Sequence, residues 1–394
     1  MPHILVFNVG SSSLTYKLFE NTKEIIKGKA NRVNVTGAEL PFIEHHINGK
    51  TITIETGPLN HQEAARLIIK FLKENKFTID IVGHRFVHGG SYFKTSAVIE
   101  GPVLKELKSC IPLAPIHNPA SYSVIEVALT ELPNTKQYVA IDTAFHSTIN
   151  KTQRTYAIPE PFQSQYLKFG FHGLSYEFVL TSLKERMDVD KLKIVACHLG
   201  TGGSSCCAIL NGKSYDTSMG NSTLAGLVMS TRCGDIDPSI PINIVEQIGI
   251  QKTVDLLNKR SGLFGVSETS CDIRDLLKEI KENGQKAEKC ALAFDLYINQ
   301  LTKTIGGLMV EIGGLDMLVF TDQVGLEVPE VRKAVCNKLE FLGVELDSEK
   351  NEKSRGKEIE FISTEKSRMK ICVVPNDEEL VILKKGSELF QFCN

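Results

Sequence analysis

Two loops of small polar residues, each between apolar segments, are the first candidates for chemistry. The first is Asn8-Val9-Gly10-Ser11-Ser12-Ser13, and the second is His198-Leu199-Gly200-Thr201-Gly202-Gly203-Ser204-Ser205. The runs around them, 4–7 with 14–19 and 194–197 with 206–210, predict strand, tight loop and strand in both places. Backbone N–H groups in such a turn can converge on phosphate oxygens, and serine hydroxyls add donors. One loop alone is equally typical of an ordinary hairpin, but two equivalent loops favour phosphate binding.

Arginines in glycine-rich strings are candidate anion-binding groups. Arg85 lies in GHRFVHGG at 83–90, and Arg232 lies in STRCGDIDP at 230–238. A guanidinium group can bind a carboxylate or a phosphate through two parallel hydrogen bonds. A surface ion pair, which contributes little, is the common alternative. The neighbouring glycines favour a ligand, because they allow its close approach to the backbone.

Histidines recur in the same kind of context, at His84, His88, His117, His146, His172 and His198. A lone histidine is usually hydrogen-bonded in a core, and we assign His84, His88 and His146 to that structural class. The spacing of His84 and His88 suits a metal, but no third soft ligand accompanies them.

The elements that must position these groups are those of a duplicated α/β protein. The chain has 394 residues, which favours two domains. A second pair of similar segments, YVAIDT at 138–143 and MLVFTD at 317–322, predicts two more strands with a carboxylate at the carboxyl end. Apolar periodicity predicts helices over 61–74 and 287–312. The polar stretch 347–357 is expected to be a surface loop without chemistry.

Composition and motif content argue against several classes of protein. The net charge of −2 provides no general attraction to nucleic acid or membranes. Neither a Walker-type string nor a dinucleotide-binding string occurs. The ten cysteines include no C-x-x-C pair, and we expect reduced, mostly buried thiols. Without a signal peptide or an apolar span of about 20 residues, the sequence predicts a cytoplasmic protein with no membrane partner.

Taken together, these strings resemble those of the acetate kinase family, in the superfamily that also holds sugar kinases and actin. The matching strings run in family order from residue 8 to residue 380: N-x-GSSS, GHRFVHGG, LAPIHNP, IDTAFH, GFHG, HLGTGG, DTSMG, STRCGDIDP, SGLFGVS followed by CDIRD, and NDEEL. The resemblance implies an α/β fold of two duplicated ribonuclease H-like (actin-like ATPase) domains, an active-site cleft between them and a homodimer. The N-terminal domain would span 1–143, completed by 378–394, and the C-terminal domain 144–377.

The resemblance also implies roles for individual residues. Asn8 and Glu378 would hold Mg²⁺, the expected cofactor. The catalytic groups would be Asp142, Arg85, His172 and Arg232. The acyl group would contact Val87, Ile116, Phe171 and His117. The phosphoryl donor would contact Ser11, Ser13, His198, Gly200, Thr201, Gly202, Asp272, Arg274 and Gln323.

Phosphoryl transfer to or from acetate, or another short carboxylic acid, fits these roles. A carboxylate nucleophile with a pKa of about 4–5 is already ionised at neutral pH, so no general base is required. Catalysis then depends on in-line positioning and on cations around the phosphoryl oxygens in a loose transition state. We therefore expect removal of Arg85 or Arg232 to lower the rate more than the stability, and Asp142 to orient Mg²⁺ or its waters.

The sequence departs from the family pattern on the donor side. At 320–327 it reads FTDQVGLE where the family has FTAGIGEN, and Thr201 stands for an asparagine. Gln323 puts a long side chain where an adenosine would lie, and losing about 100 Å² of apolar burial costs roughly 2–3 kcal/mol of binding. We therefore predict a diphosphate-dependent acetate kinase, similar to the branch of the family known from amoebae. Its partners would be acetate, acetyl phosphate, phosphate and diphosphate.

Two alternatives remain at this point. An ATP-dependent acetate or propionate kinase with an altered nucleotide loop would turn over with ATP. A catalytically degenerate binding or scaffold protein would form no acetyl phosphate with any donor. The second alternative leaves the charged residues in glycine-lined strings without a purpose.

Overall fold

The computed structural model describes residues 2–35 and 40–392. The chain divides into two compact units, one of Met1–Phe145 with Asp377–Asn394 and one of His146–Asn376. Each unit contains one mixed sheet with helices packed on it.

The strands of the described chain are labelled in order: β1 (His3–Val9), β2 (Ser13–Glu20), β3 (Lys23–Asn31), β4 (Phe42–Ile47), β5 (Lys50–Glu55), β6 (Ile81–Phe86), β7 (Ala97–Val98), β8 (Lys136–Ile141), β9 (Lys193–Leu199), β10 (Ser204–Leu210), β11 (Lys213–Thr217), β12 (Met317–Thr321), β13 (Glu360–Phe361) and β14 (Lys370–Val373).

The α-helices of the same residues are α1 (His61–Glu74), α2 (Gly101–Ser109), α3 (Asn118–Glu131), α4 (Lys151–Arg154), α5 (Phe162–Gln165), α6 (Gly173–Lys184), α7 (Ser239–Ile248), α8 (Ile250–Lys259), α9 (Gly262–Ser267), α10 (Ile273–Lys281), α11 (Ala287–Glu311), α12 (Asp322–Glu327), α13 (Pro329–Leu339), α14 (Ser348–Lys353) and α15 (Glu378–Phe390). Short 3₁₀ turns lie at Ile111–Leu113, Asp142–Thr148, Val189–Lys191 and Glu340–Leu342.

The sheet of the first unit has the strand order β5-β4-β3-β2-β1-β6-β8-β7. The central strand β1 pairs antiparallel with β2 and parallel with β6, and β6 pairs parallel with β8. The apolar run 4–7 of β1 is fully buried, as expected for a strand covered on both faces. Helix α1 packs Ala64, Ile68 and Leu72 against this core, and Asn60 caps it by accepting a hydrogen bond from the N–H of Glu63.

The sheet of the second unit has the order β11-β10-β9-β12-β14-β13. Here β9 pairs antiparallel with β10 and parallel with β12, which pairs parallel with β14. The long helix α11 covers one face through residues at helical spacing, namely Cys290, Ala293, Tyr297, Leu301, Ile305 and Leu308.

The two sheets share one topology, which confirms the predicted duplication. The order β3-β2-β1-β6-β8 in the first unit matches β11-β10-β9-β12-β14 in the second, with the same parallel and antiparallel pairings. The fold is therefore the duplicated ribonuclease H-like fold. The proposed equivalence of 138–143 with 317–322 is wrong, because β12 occupies the position of β6 and β8 occupies that of β14. Two buried strands that each precede an aspartate look alike in sequence, but strand order decides which ones correspond.

Helices α1 and α11 confirm the predictions for 61–74 and 287–312. The prediction that 347–357 forms a surface loop is wrong. Helix α14 lies in this stretch, and Asn351 within it is fully buried. Asn351 accepts hydrogen bonds from Arg332 through both its side-chain and its backbone oxygen, at 2.7 Å each. A stretch of mostly charged residues can thus include one buried polar residue that accepts hydrogen bonds from a buried arginine.

The cysteines that the structure describes are free, and most are buried, as predicted; Cys393 lies outside the described residues. None of the described helices combines the length and apolar character needed to cross a bilayer.

Candidate active site

Arg85 lies at the carboxyl edge of the parallel strands in the first unit. The registers pair Phe7 with His84 and Arg85 with Ala140, so Arg85 lies beside Asn8 and close to Asp142, which directly follows β8. The carboxyl ends of adjacent parallel strands form one edge of the sheet, where open α/β sheets bind their ligands. Strand register therefore brings these predicted site residues together.

The guanidinium group of Arg85 is held on three sides. Its Nε and Nη2 donate to the two carboxylate oxygens of Asp142 at 3.2 and 2.7 Å. Its Nη1 donates to Oδ1 of Asn8 at 3.0 Å and lies 2.9 Å from Oε2 of Glu378. Burial alone would lower the pKa of Arg85, but the charges of Asp142 and Glu378 outweigh it and raise the pKa. The cation is thus permanent and fixed in position.

Helix α15 adds carboxylates that sequence reasoning did not single out. Asn8 donates through Nδ2 to Glu378 at 3.1 Å and to Glu379 at 2.8 Å. The Nζ of Lys17 lies 2.5 Å from Asp377 and 3.6 Å from Glu379. Burial raises the pKa of Glu379. The NDEEL string was the available signal, but only the first glutamate was assigned a role.

The remaining predicted residues of the first unit occupy different environments. Ser11 lies in the β1–β2 turn, and Ser13 is the first residue of β2. The N–H of Gly10 closes the turn by donating to the backbone oxygen of Ser13 at 2.9 Å. Ser11 is exposed, whereas Val87, which follows β6, is buried. His117 is the N-terminal cap residue of α3, and the preceding Ile116 is 45% exposed.

The second small-residue loop joins β9 to β10 and closes like the first. The N–H of Gly200 donates to the backbone oxygen of Gly203 at 3.0 Å, one turn of the same length as that at Gly10. Ser230 donates through Oγ to the backbone oxygen of Gly202 at 3.3 Å. The predicted equivalence of the two loops is confirmed as geometry, while phosphate binding by them stays a prediction.

His172 and His198 stack beside this loop, with ring centroids 3.9 Å apart. His172 takes a left-handed backbone conformation, with φ of 58°, at the start of α6. Its Nδ1 lies 2.8 Å from Oγ of Ser205, which is also 2.5 Å from the hydroxyl of Tyr176. His198 is in turn held through Nδ1 by Oγ of Ser175 at 2.8 Å. Ser205 and Tyr176, which fix the His172 ring, were not assigned from the sequence.

Arg232 lies against the same loop and has no counter-ion among the described residues. A Cβ added at Gly203 would lie 3.1 Å from Nη1 of Arg232 and 3.6 Å from Nε2 of His172, so the two side chains converge on that glycine. The other contacts of Nη1 are long, 3.4 Å to the backbone oxygen of Thr223 and 3.6 Å to the sulfur of Met229. Burial lowers the pKa of Arg232, and no carboxylate of the described chain forms an ion pair with it. It is a partly buried cation that can accept an anion.

The donor-side residues form two groups. Thr201 donates through Oγ1 to Oε1 of Gln323 at 3.2 Å, which joins the loop to α12. Asp272 caps α10 and is bound by Arg274, with Nη2 and Oδ2 2.6 Å apart. Arg274 also binds Glu327 at 2.8 Å, so two carboxylates already compensate this exposed cation.

Phe171, which was predicted to contact the acyl group, is buried, and its backbone oxygen contacts Nε2 of His146 at 2.9 Å.

Comparison with known proteins agrees with this geometry. A profile described as the Acetokinase family matches residues 3–384. The chain belongs to the acetokinase family. It is accordingly a kinase, an enzyme that transfers phosphoryl groups.

Individual acetokinase relatives match over nearly the whole length. The crystal structure of acetate kinase from Entamoeba histolytica has 68% sequence identity and a TM-score of 0.93, covering 99% of this chain and 100% of that one. A propionate kinase structure from Francisella tularensis has 32% identity and a TM-score of 0.88, covering 98% and 99%. Acetate kinase from Thermotoga petrophila is 42% identical over 406 residues, with 98% of each chain covered.

The charge balance around Asn8 fits the Mg²⁺ that the acetokinase resemblance implies. Arg85 contacts Asp142 and Glu378, and Lys17 contacts Asp377 and Glu379, so these four carboxylates of the described chain share two cations. Amide and carboxylate oxygens are ligands that Mg²⁺ accepts, usually one or two from protein with waters or phosphates completing the shell. Among the residues described, no cluster of three or more His, Cys, Asp or Glu side chains forms a complete metal cage. Partial coordination by Asn8 and Glu378 is consistent with both observations.

The structural assignment of three histidines is confirmed. His84, His88 and His146 are buried; Nε2 of His84 contacts Gln137 at 3.0 Å, and Nδ1 of His146 contacts Ser214 at 2.8 Å. Burial lowers the pKa of His84 and of His146 to about 4, so both rings are neutral at pH 7.

Proposed function

We propose that this acetokinase interconverts acetyl phosphate plus phosphate with acetate plus diphosphate. Family membership supports a carboxyl group as the phosphoryl acceptor, and relatives named acetate kinase support acetate. The observation that carries the donor assignment is the hydrogen bond from Thr201 to Gln323 at 3.2 Å. This hydrogen bond lies at the segment that the family resemblance assigns to adenosine. It holds Gln323, a residue that departs from the family string, against the β9–β10 loop. A donor without a nucleoside needs no recess there.

Arg232 and His172 are the groups of the second unit that act on the phosphoryl group in this proposal. The transferred group passes through a loose transition state with charge on three equatorial oxygens. A cation without a counter-ion, held beside Gly203, gains its partner only when that charge arrives. His172 adds a hydrogen bond from the same side, since its Nε2 lies 3.6 Å from the position of a Cβ added at Gly203. Preorganised groups of this kind cost no reorganisation at the moment of reaction.

Arg85 plays a different part, because Asp142 and Glu378 already neutralise it. Its fixed guanidinium group offers direction rather than free charge, and it orients the carboxyl and phosphoryl oxygens. Both oxygens of Asp142 accept from Arg85, so we propose that Asp142 acts first by positioning that arginine. Mg²⁺ held by Asn8 and Glu378 would supply the charge that polarises the phosphate oxygens. Acyl contact by Val87, Ile116, His117 and Phe171 stays a prediction, as do the domain boundaries and the cleft.

The homodimer is proposed on the apolar surface of α7 and α8. Helix α7 buries none of its residues, and Ile240 and Ile242 are 45% and 61% exposed. On α8, Ile250 and Val254 are 70% and 49% exposed. Several large apolar side chains exposed on two consecutive helices are typical of a protein–protein interface.

The donor assignment is tested by comparing ATP and diphosphate on the same enzyme preparation with acetate and Mg²⁺, trapping acetyl phosphate with hydroxylamine. We expect kcat/KM for diphosphate to exceed that for ATP by about 100-fold or more, the value of a lost adenine contact. Gln323→Gly should raise ATP binding, and Glu330→Gln, an exposed acid on the next helix, should not. Comparable wild-type turnover with both donors would refute the proposal.

An ATP-dependent acetate or propionate kinase is the second candidate, and the match to a named propionate kinase favours keeping it. The same assay decides on the donor, and a series of formate, acetate, propionate and butyrate decides on the acyl group. A scaffold function would require that no donor yields any acyl phosphate.

A further inference from the structure

A carboxylate reaches the β9–β10 loop from the neighbouring strand. The parallel register pairs Thr321 with His198, so Asp322, the next residue, lies beside the end of β9. Its Oδ2 is 3.2 Å from Nε2 of His198. A Cβ added at Gly200 would come within 2.5 Å of the same oxygen. Glycine at position 200 is therefore what allows this carboxylate to lie against the loop.

The contacts of His198 define which of its nitrogens carries a proton. Nδ1 lies 2.8 Å from Oγ of Ser175, a hydroxyl that can donate to it. Nε2 then bears the hydrogen and donates it to Oδ2 of Asp322, the arrangement that satisfies both contacts. Oδ1 of Asp322 has no hydrogen-bond partner within residues 2–35 and 40–392, and the side chain is 30% exposed.

The backbone holds Asp322 in this position at a conformational cost. Its φ is +60°, in the left-handed region that aspartate adopts more often than most residues but less readily than glycine. A carboxylate that lies against a loop proposed to bind phosphate also repels a fully ionised ligand there. Both costs are understandable if the carboxylate recognises a hydrogen-bond donor on the ligand.

We propose that Oδ1 of Asp322 accepts a hydrogen bond from a P–OH group, so that this subsite selects inorganic phosphate. The inference rests on the proposed diphosphate-dependent function. Transfer from HP₂O₇³⁻ to acetate breaks one P–O bond, forms the acyl phosphate and releases HPO₄²⁻, which keeps its hydroxyl proton throughout. The terminal phosphate of a nucleoside diphosphate carries a bridging phosphoanhydride oxygen at one corner, and its ionised form offers no such donor. Asp322 would thus recognise, by accepting a hydrogen bond, the P–OH group that distinguishes inorganic phosphate as the leaving group.

Sulfate is the probe that isolates this proton, because it has the size of phosphate but no hydroxyl near neutral pH. Binding of each anion would be measured by isothermal titration calorimetry at constant ionic strength. A charge-assisted hydrogen bond replaced by oxygen–oxygen repulsion predicts that the wild-type enzyme prefers phosphate by about 10-fold or more. Asp322→Asn should reduce that preference to within about 3-fold, since an amide can donate to either anion.

Two further variants keep the test decisive. Asp322→Gly suits the positive φ and removes the carboxylate, so it should also lose the preference while remaining folded. Glu330→Gln changes the net charge equally from an exposed position and should keep it. Equal binding of the two anions by the wild-type enzyme, no measurable binding of phosphate, or an unchanged preference in both Asp322 variants would overturn the proposal.

Diphosphate turnover on the same preparations separates the two levels of inference. An enzyme that uses diphosphate but does not prefer phosphate over sulfate would refute the role of Asp322 alone. An enzyme that prefers phosphate, loses the preference in the variants and yet turns over only with ATP would refute the donor assignment alone.

Discussion

Replacement of Arg232 by alanine should separate catalysis from stability. The guanidinium group makes no ion pair with a described carboxylate, and its two contacts through Nη1 are 3.4 and 3.6 Å long. Contacts of that length contribute little, and burial lowers the pKa of the group, which means that its charge is held unfavourably in the free protein. The cation should therefore matter mainly when a phosphoryl group is present.

The expected magnitudes follow from this difference. The free energy of unfolding should change by less than about 1 kcal/mol, since no buried partner loses a strong bond. An arginine that stabilises the charge of a phosphoryl-transfer transition state is worth about 10³-fold or more in kcat, or about 4 kcal/mol. Arg232→Lys should recover only part of the rate, because an ammonium group cannot reproduce the planar two-point contact.

The assay pairs acetyl phosphate formation with urea unfolding of the same protein preparations. Arg66→Ala is the matched control, since Arg66 forms only an exposed pair with Glu63 on α1, at 3.6 Å. That variant should keep both its rate and its stability. A fall in kcat of less than 10-fold for Arg232→Ala, or a loss of more than about 2 kcal/mol of stability, would refute the reasoning.

Three other predictions concern stability. Arg85→Ala removes the cation that both carboxylate oxygens of buried Asp142 contact, so urea unfolding should show a loss of about 3–5 kcal/mol, partly restored in the Arg85→Ala/Asp142→Ala double variant. A loss below about 1 kcal/mol would contradict this. Burial lowers the pKa of His84 and His146 to about 4, so the unfolded chain binds more protons than the folded one between pH 6.5 and 4. The stability contributed by the neutral rings is therefore present above pH 6.5 and is lost as the pH falls, by about 2 kcal/mol for each ring between pH 6.5 and 5. Urea denaturation at a series of pH values should show a smaller dependence of stability on pH for His84→Gln. Arg332→Met leaves the backbone oxygens of Gly325, Leu326 and Asn351 without the hydrogen bonds that the guanidinium group donates. Thermal unfolding should therefore show a loss of stability of about 3 kcal/mol, whereas the control variant Lys333→Met should be as stable as the wild type. Equal losses in the two variants would contradict this prediction.

Local sequence patterns predict where the helices, strands and loops lie, but they do not predict which strands of the two units are equivalent. Helices α1 and α11 and the two small-residue loops follow from periodicity and turn residues, which are properties of neighbours along the chain. The predicted equivalence of β8 and β12 is wrong because strand order depends on contacts between segments that are distant in sequence. Asn351 was missed for a similar reason, since its partner Arg332 lies on another helix.

The same limit applies to the candidate site. Arg85 and Arg232 looked alike in sequence, each an arginine in a glycine-rich string, and both were expected to affect rate more than stability. Their surroundings differ: two carboxylates neutralise Arg85, and Arg232 faces none that the structure describes. Arg85 is therefore held in place by the protein itself, and we expect its loss to lower stability as well as rate. Arg232 has no counter-ion among the described residues, so the proposed division between a positioning arginine and a charge-stabilising one depends on counter-ions that no local sequence string encodes.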